Sequence, residues 1–312
     1  MSKPPSLKNI PRYPVTTSIA AAALYVSGSW WSGGNVDWLV TNGQVWEKWE
    51  LWRAVTSTLP HVNIYHLAFN LYWFWVFGTF VERVYGHLKF AGIVLLLALG
   101  SSLADFSLSY GGVGLSGVGY GLWGMLWVLD RRDTRFAGAV DRQTSVTFVA
   151  WFFLCIVLTV TDVMPVGNVA HGAGAGMGAL LGLASSSQGS LKRKSRAALA
   201  AALILSLAGS TVFWPWINLS QYAQAEVERA GVEALQRGHD EYAKTLLEKS
   251  ARMKGAPART WYNLGIAYHR LGRYEDALSA YEQAATMPDS TSEFRETARQ
   301  MKEYWMRRRG KQ

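Results

Sequence analysis

At 312 residues the chain could hold one large domain or two ordinary ones. Half of it is hydrophobic and 17% charged, with 15 tryptophans, yet mean hydropathy is close to zero. The apolar residues are therefore segregated, and a uniform soluble protein is excluded. A formal charge of +9 would suit nucleic acid, but the basic residues sit in short clusters between apolar runs, which fits orientation in a membrane better. The single Cys155 rules out an intramolecular disulfide.

Met1 to Arg12 carries Lys3, Lys8 and Arg12 and no acid, so 1–13 reads as a cytoplasmic segment. The run Pro14 to Trp31 reads as a first span rather than a cleaved signal. Its Ser/Gly/Trp-rich end is a poor processing site, and Trp30-Trp31 suits an aromatic belt. Ser32 to Pro60 holds Trp38, Trp46, Trp49 and Trp52 with Asp37, Glu47 and Glu50. It is too polar to span and fits an amphipathic segment in the interface. Apolar runs follow at 66–81, 88–107, 115–129, 146–163 and 169–185, several below the ~20 residues that usually cross hydrocarbon. Those from 115 and 169 are glycine-rich and belong inside a bundle. A seventh run, Ala197 to Ile217, is uncharged and long enough to span.

The expected fold is all-α: a six-helix membrane core over 14–190, a basic loop and seventh span over 191–218, and a helical domain over 219–312. Lysine and arginine cluster at the N-terminus, Arg83–Lys89, Arg131–Arg142 and Lys192–Arg196, whereas Asp105–Gly114 and Asp162–Asn168 have none. The charge bias puts the N-terminus in the cytoplasm and, after seven spans, the C-terminal part outside. Spans two, four and six then run inward together, with His66, Ser116 and His171 near their outer ends.

A serine hydroxyl becomes a competent nucleophile when a neighbouring base takes its proton, usually histidine near neutral pH. Ser116 and His171 can meet only if spans four and six pack closely. Gly117 and Gly121 on one, with Gly174, Gly178 and Gly182 on the other, provide small-residue faces for that. His171 shares the glycine face by helical spacing, and Tyr120, four after Ser116, is placed to stack on the imidazole. His66 and Asn70, also four apart, project toward the same region and with the Ser116 N–H form a plausible oxyanion hole. Gly114 lets the chain turn into the helix with that N–H exposed. The bland readings are a packing serine, an interfacial histidine and a glycine stripe for helix contact. Coincidence of these residues at one depth argues against them. His61 with His66 and His171 suggests a metal, but no carboxylate or thiol lies at ligand spacing, so neither metal nor other cofactor is expected. Asp105 and Asp162 read as solvated or capping, with no third triad member.

Over residues 14–185 the chain resembles the rhomboid intramembrane serine proteases. The likeness rests on Trp52-Arg53, His66-x-x-x-Asn70, Glu82-Arg83, Gly114-Leu115-Ser116-Gly117, Tyr120 and Ala170-His171-x-x-Gly174-x-x-x-Gly178. It implies a Ser–His dyad in a water-filled cavity open to the outer face, cleaving transmembrane substrates near their outer boundary. It makes Ser116 the nucleophile and His171 the base. His66, Asn70, the Ser116 N–H and also Leu115 become oxyanion donors, with Tyr120 supporting His171. Trp52-Arg53 and Glu82 correspond to structural residues of that family.

Beyond residue 222 the chain repeats at 34 residues. Trp261-Tyr262-Asn263-Leu264-Gly265, Ala267-Tyr268, Gly272, Tyr274, Ala277, Tyr281, Ala284 and Pro288 resemble a tetratricopeptide repeat, with Gly231, Gly238 and Ala243 marking a degenerate earlier copy. Ser292 to Arg309 reads as a charged capping helix. The repeats serve either as a groove for a peptide or protein partner or as a stabilising appendage or dimer contact. The leading expectation is an intramembrane serine endopeptidase of the cell membrane, its partners transmembrane protein substrates and lipid, not nucleic acid. Helix-weakening residues near the outer interface should favour cleavage, because helical backbone is hydrogen-bonded internally. The alternatives are a non-catalytic scaffold recruiting partners through the repeats and, more distantly, a transporter.

Overall fold

The structure, a computed structural model, describes residues 7–41, 45, 49–109, 111–164, 166–213, 217–218, 220 and 222–309. Lys3, Trp46 and Glu47, used above for charge and interfacial character, lie outside them. Among the described residues the regular structure is helical, without strands. The chain divides into two compact units, Met1–Asn218 and Leu219–Gln312.

In the first unit, helix α1 spans Pro14–Trp31, the short α2 Arg53–Thr56, α3 Ile64–Tyr85, α4 His87–Leu108 and α5 Ser116–Leu129. Then come α6 (Arg142–Val160), α7 (Asn168–Ser186) and α8 (Gly189–Ala208). Two starts are written locally. Asn63 accepts the His66 N–H at 2.9 Å to open α3, and Asp141 accepts the Thr144 N–H at 2.7 Å to open α6. Helices α1, α5 and α7 have no side-chain cap of their own.

The opening of α1 is served from α3. Buried Glu82 accepts the Val15 N–H at 3.0 Å, the Thr16 N–H at 2.9 Å and the Thr16 hydroxyl at 2.6 Å, and pairs with His87 Nδ1 at 2.7 Å. A buried carboxylate is tolerable here because every contact is a donor and it faces the positive end of a helix.

Helix α5 is the innermost element. Val118, Leu122, Met125, Leu126 and Leu129 are fully enclosed, packed among Phe74 and Phe77 of α3, Phe90 and Leu97 of α4, and Phe148 of α6. The periphery is as apolar as the centre. On α6, Val146, Val149, Phe153, Leu154, Val157 and Val160 are exposed. By length and composition α4 and α6 are the two described helices apolar enough to cross a membrane. The other expected spans are shorter, or diluted by glycine, aromatic or basic residues.

Two expectations change. Lys192–Arg196 does not form a loop: α8 begins at Gly189, so these residues occupy its first turns, and the helix ends at Ala208 in a π-turn over Gly209–Phe213. Lysine and arginine are good helix formers, and Ser187 and Gln188 suffice to reverse the chain. The seventh run is thus offset from the expected Ala197–Ile217, whose residues 214–216 lie outside the described set. The stretch after α1 is two-sided, with Val36, Leu39 and Val45 buried and Trp38, Trp49 and Trp52 exposed. Its described part is mostly irregular, tied by buried Arg53, which pairs with Glu50 and donates to the Asp37 and Val40 carbonyls.

The second unit holds α9 (Ala223–Gln236), α10 (Asp240–Ala251), α11 (Ala258–Arg270), α12 (Tyr274–Thr286) and α13 (Ser292–Arg309). The period reappears as packing. A Cβ on Gly231 would lie 2.7 Å from Leu247, and one on Gly265, 34 residues on, 2.6 Å from Tyr281, 34 after Leu247. Helix α13 covers the end, stacking Phe294 on Tyr262 at 4.4 Å and burying Met301.

Glu82→Ala strands two helix-opening N–H groups, which should cost about 2–4 kcal/mol. Reversible unfolding in detergent should show this loss, with Glu82→Gln intermediate; unchanged stability would contradict the role given to the carboxylate.

Candidate active site

The site is built on the contact between α5 and α7. A side chain on Gly174 would collide with the Gly117 carbonyl, one on Gly178 with the Gly121 carbonyl, and one on Gly124 with the Ala175 carbonyl. One on Gly182 would lie 2.8 Å from the Met125 carbonyl. The two backbones touch. Residue numbers rise together along the seam, 117 with 174, 121 with 178 and 125 with 182, so the helices run parallel and keep step turn by turn. At the entry end, a Cβ on Gly117 would lie 3.5 Å from Ala170 Cβ. His171, the next residue, is therefore level with the first turn of α5, where Ser116 sits.

Tyr120 is the surface on which His171 rests. The two rings stack at 4.6 Å with 23° between planes. The phenol is held by its hydroxyl, which donates to the Phe148 carbonyl at 3.1 Å, and by Phe148 packing edge-on at 5.1 Å. His171 is 3% exposed, and its Nδ1 is buried without a hydrogen-bond partner among the described residues. A ring face rather than a carboxylate orients this imidazole. Among the described residues Ser116 Oγ makes no hydrogen bond, to His171 or otherwise. Such bonds commonly close only on substrate binding.

The oxyanion candidates group around the turn before α5. Gly114 has φ of +113°, and a Cβ there would lie 2.7 Å from His66 Cε1, so the imidazole rests directly on the glycine. Asn70, buried one turn along α3, donates to the His66 carbonyl at 2.8 Å. The second N–H of its amide has no partner among the described residues and is left for another acceptor. Leu115 differs from expectation. Its N–H is already donated to His61 Nε2 at 3.2 Å, so the backbone donor remaining at this turn is the Ser116 N–H, which as a helix-opening group has no intrahelical acceptor.

Two neighbours take roles that sequence reasoning left unspecified. Asp105, read above as solvated or capping, is 3% exposed, and its Oδ1 accepts the Ala170 N–H at 3.3 Å. It caps α7, which lacks a cap of its own, from the end of α4. His61, considered only as a metal ligand, is fully buried, with Nδ1 2.9 Å from the Leu59 carbonyl. Burial, then the adjacent His66 imidazole, push its pKa down to about 4 against the opposing Leu59 hydrogen bond, so it is neutral near neutral pH. The described residues contain no cluster of three metal-ligating side chains.

Residues 48–188 match the family model of the rhomboid domain. Over that stretch, a little under half of the chain, it is similar to the rhomboid domain. It is also similar to the rhomboid protease GluP of Bacillus subtilis (strain 168), 29% identical over 237 residues, which are 75% of this chain and 45% of that protein. The chain thus aligns with less than half of that relative's length. Residues 258–287 match the tetratricopeptide repeat, the α11–α12 pair. Rhomboid proteins are multi-pass membrane proteins, and the exposed apolar flank of α6 is consistent with that similarity.

Within the matched stretch the seam gives a paired test. Gly178→Ala meets the Gly121 carbonyl, whereas nothing lies within 4 Å of a Cβ on Gly176. The first should lower stability by about 2 kcal/mol or more through overpacking, and the second should leave it unchanged or raise it slightly. Equal effects on thermal unfolding would contradict the seam.

Proposed function

We propose that the protein is an intramembrane serine endopeptidase that cleaves transmembrane substrates by a Ser116–His171 dyad. The observation that carries the reading is the imidazole of His171, laid flat on Tyr120 at the level of Ser116 by the glycine seam. Ser116 Oγ attacks the scissile carbonyl carbon as His171 takes its proton. The carbonyl oxygen, now negative, is stabilised by the Ser116 N–H with His66 and Asn70. His171 returns the proton to the leaving amine, giving an acyl-enzyme. Water activated by His171 then hydrolyses the ester and frees Ser116.

The peptide bond must leave its helix before attack, because internal hydrogen bonding shields it. Substrates carrying glycine or other helix-weakening residues near the outer membrane boundary are therefore preferred. The basic clusters support a cytoplasmic N-terminus, and seven crossings place the repeat unit outside, where it serves as a docking module for a protein partner.

In liposomes containing a model transmembrane substrate, Ser116→Ala and His171→Ala should each lower cleavage by about three orders of magnitude or more, as removal of a nucleophile or its base does elsewhere. Undiminished cleavage by either variant would reject the dyad. For topology, Ser292→Cys in a Cys155→Ser background should react with a membrane-impermeant maleimide in intact cells. Labelling that appears only after lysis would place the repeats in the cytoplasm.

A further inference from the structure

His61 takes no part in the proposed chemistry, yet it is one of the most enclosed polar side chains beside it. Nε2 accepts the Leu115 N–H at 3.2 Å. A neutral imidazole carries one proton, and an accepting Nε2 leaves that proton on Nδ1. There it is donated to the Leu59 carbonyl at 2.9 Å, with Ser27 Oγ of α1 3.3 Å away. The ring meets His66 edge-on at 4.9 Å and would lie 3.4 Å from a Cβ on Gly114. One turn of chain earlier, the Ser57 carbonyl accepts the Gly114 N–H at 3.1 Å.

Residues 57–61 thus consume two successive N–H groups, those of 114 and 115, and the next in line belongs to Ser116. This matters because α5 has no cap of its own. Without the His61 acceptor, the Leu115 N–H would be a buried orphan, and the turn could rotate to satisfy it. Rotation there would misdirect both the Ser116 N–H and Oγ, since they follow directly.

We propose that His61 is a positioning residue that fixes the turn carrying Ser116 by accepting the Leu115 N–H at Nε2 and anchoring Nδ1–H on Leu59. This rests on the protease reading above for its catalytic consequence, and on the hydrogen bonds alone for its structural part. Two substitutions separate the two ring nitrogens. His61→Asn keeps an amide near Nδ1 and loses the acceptor toward Leu115. His61→Gln carries an amide out to the Nε2 position.

With the full chain in detergent, His61→Asn should lower kcat on a model transmembrane substrate by about 10–100-fold, as small misplacements of reacting groups do. KM and Tm should stay close to wild type, and hydrogen exchange of peptides spanning 112–118 should quicken. His61→Gln should restore most of kcat. Unchanged kcat in His61→Asn, a His61→Gln variant as impaired as His61→Asn, or a kcat loss that merely follows Tm would overturn the proposal. If the wild type cleaves nothing, the protease reading fails, and exchange still judges the clamp: no quickening in His61→Asn overturns it. The wild-type imidazole provides a test free of variants. Nitrogen-15 NMR should find the proton on Nδ1, and a proton on Nε2 would overturn the clamp.

Discussion

Backbone contact between α5 and α7 is the constraint from which the rest of the membrane unit follows. In a bilayer, lipid is as apolar as leucine, so helices gain little by hiding greasy side chains from it. Close approach, with dispersion between backbones, is what holds such a pair. Each glycine weakens its own helix by roughly 0.5–1 kcal/mol relative to alanine. The seam at Gly117, Gly121, Gly174 and Gly178 offsets that cost by bringing the entry turn of one helix level with that of its neighbour. Ser116 and His171 lie at one level because no side chain stands between their helices along the seam.

A second regularity concerns how helices begin. α1, α5 and α7 lack local caps, and each has an N–H in or next to its first turn met from elsewhere in the bundle: by Glu82, His61 and Asp105 respectively. Where water is scarce, an unmet N–H is costly, so these long-range partners are structural requirements. They also confer precision. A helix opening fixed by a side chain from another element cannot turn or slide without breaking that bond, and the proposed chemistry depends on the openings of α5 and α7. Burial and hydrogen bonding thereby convert packing into aim.

Much of this was legible in the sequence because it is periodic. Glycines at intervals of four mark the seam, Tyr120 one turn after Ser116 marks the stacking ring, and a 34-residue spacing marks the repeats. What was not legible is long-range pairing, which has no period. Asp105 read as solvated or capping, and nothing local says that the helix it caps is α7. His61 suggested a metal because histidines in sequence look like ligands, while the Leu115 N–H that it accepts is 54 residues away. The Lys192–Arg196 cluster looked like a loop by charge, although helix propensity favoured continuation and prevailed.

The most direct test of the account is covalent. Purified protein is treated with a serine-reactive fluorophosphonate, and the adduct is located by mass spectrometry. The account predicts one modified residue, Ser116, with labelling lost in His171→Ala although that variant remains folded. An adduct on Ser116 that forms equally well without His171 would show that the hydroxyl owes nothing to the imidazole beside it, and would contradict the claim that the glycine seam exists to bring them together.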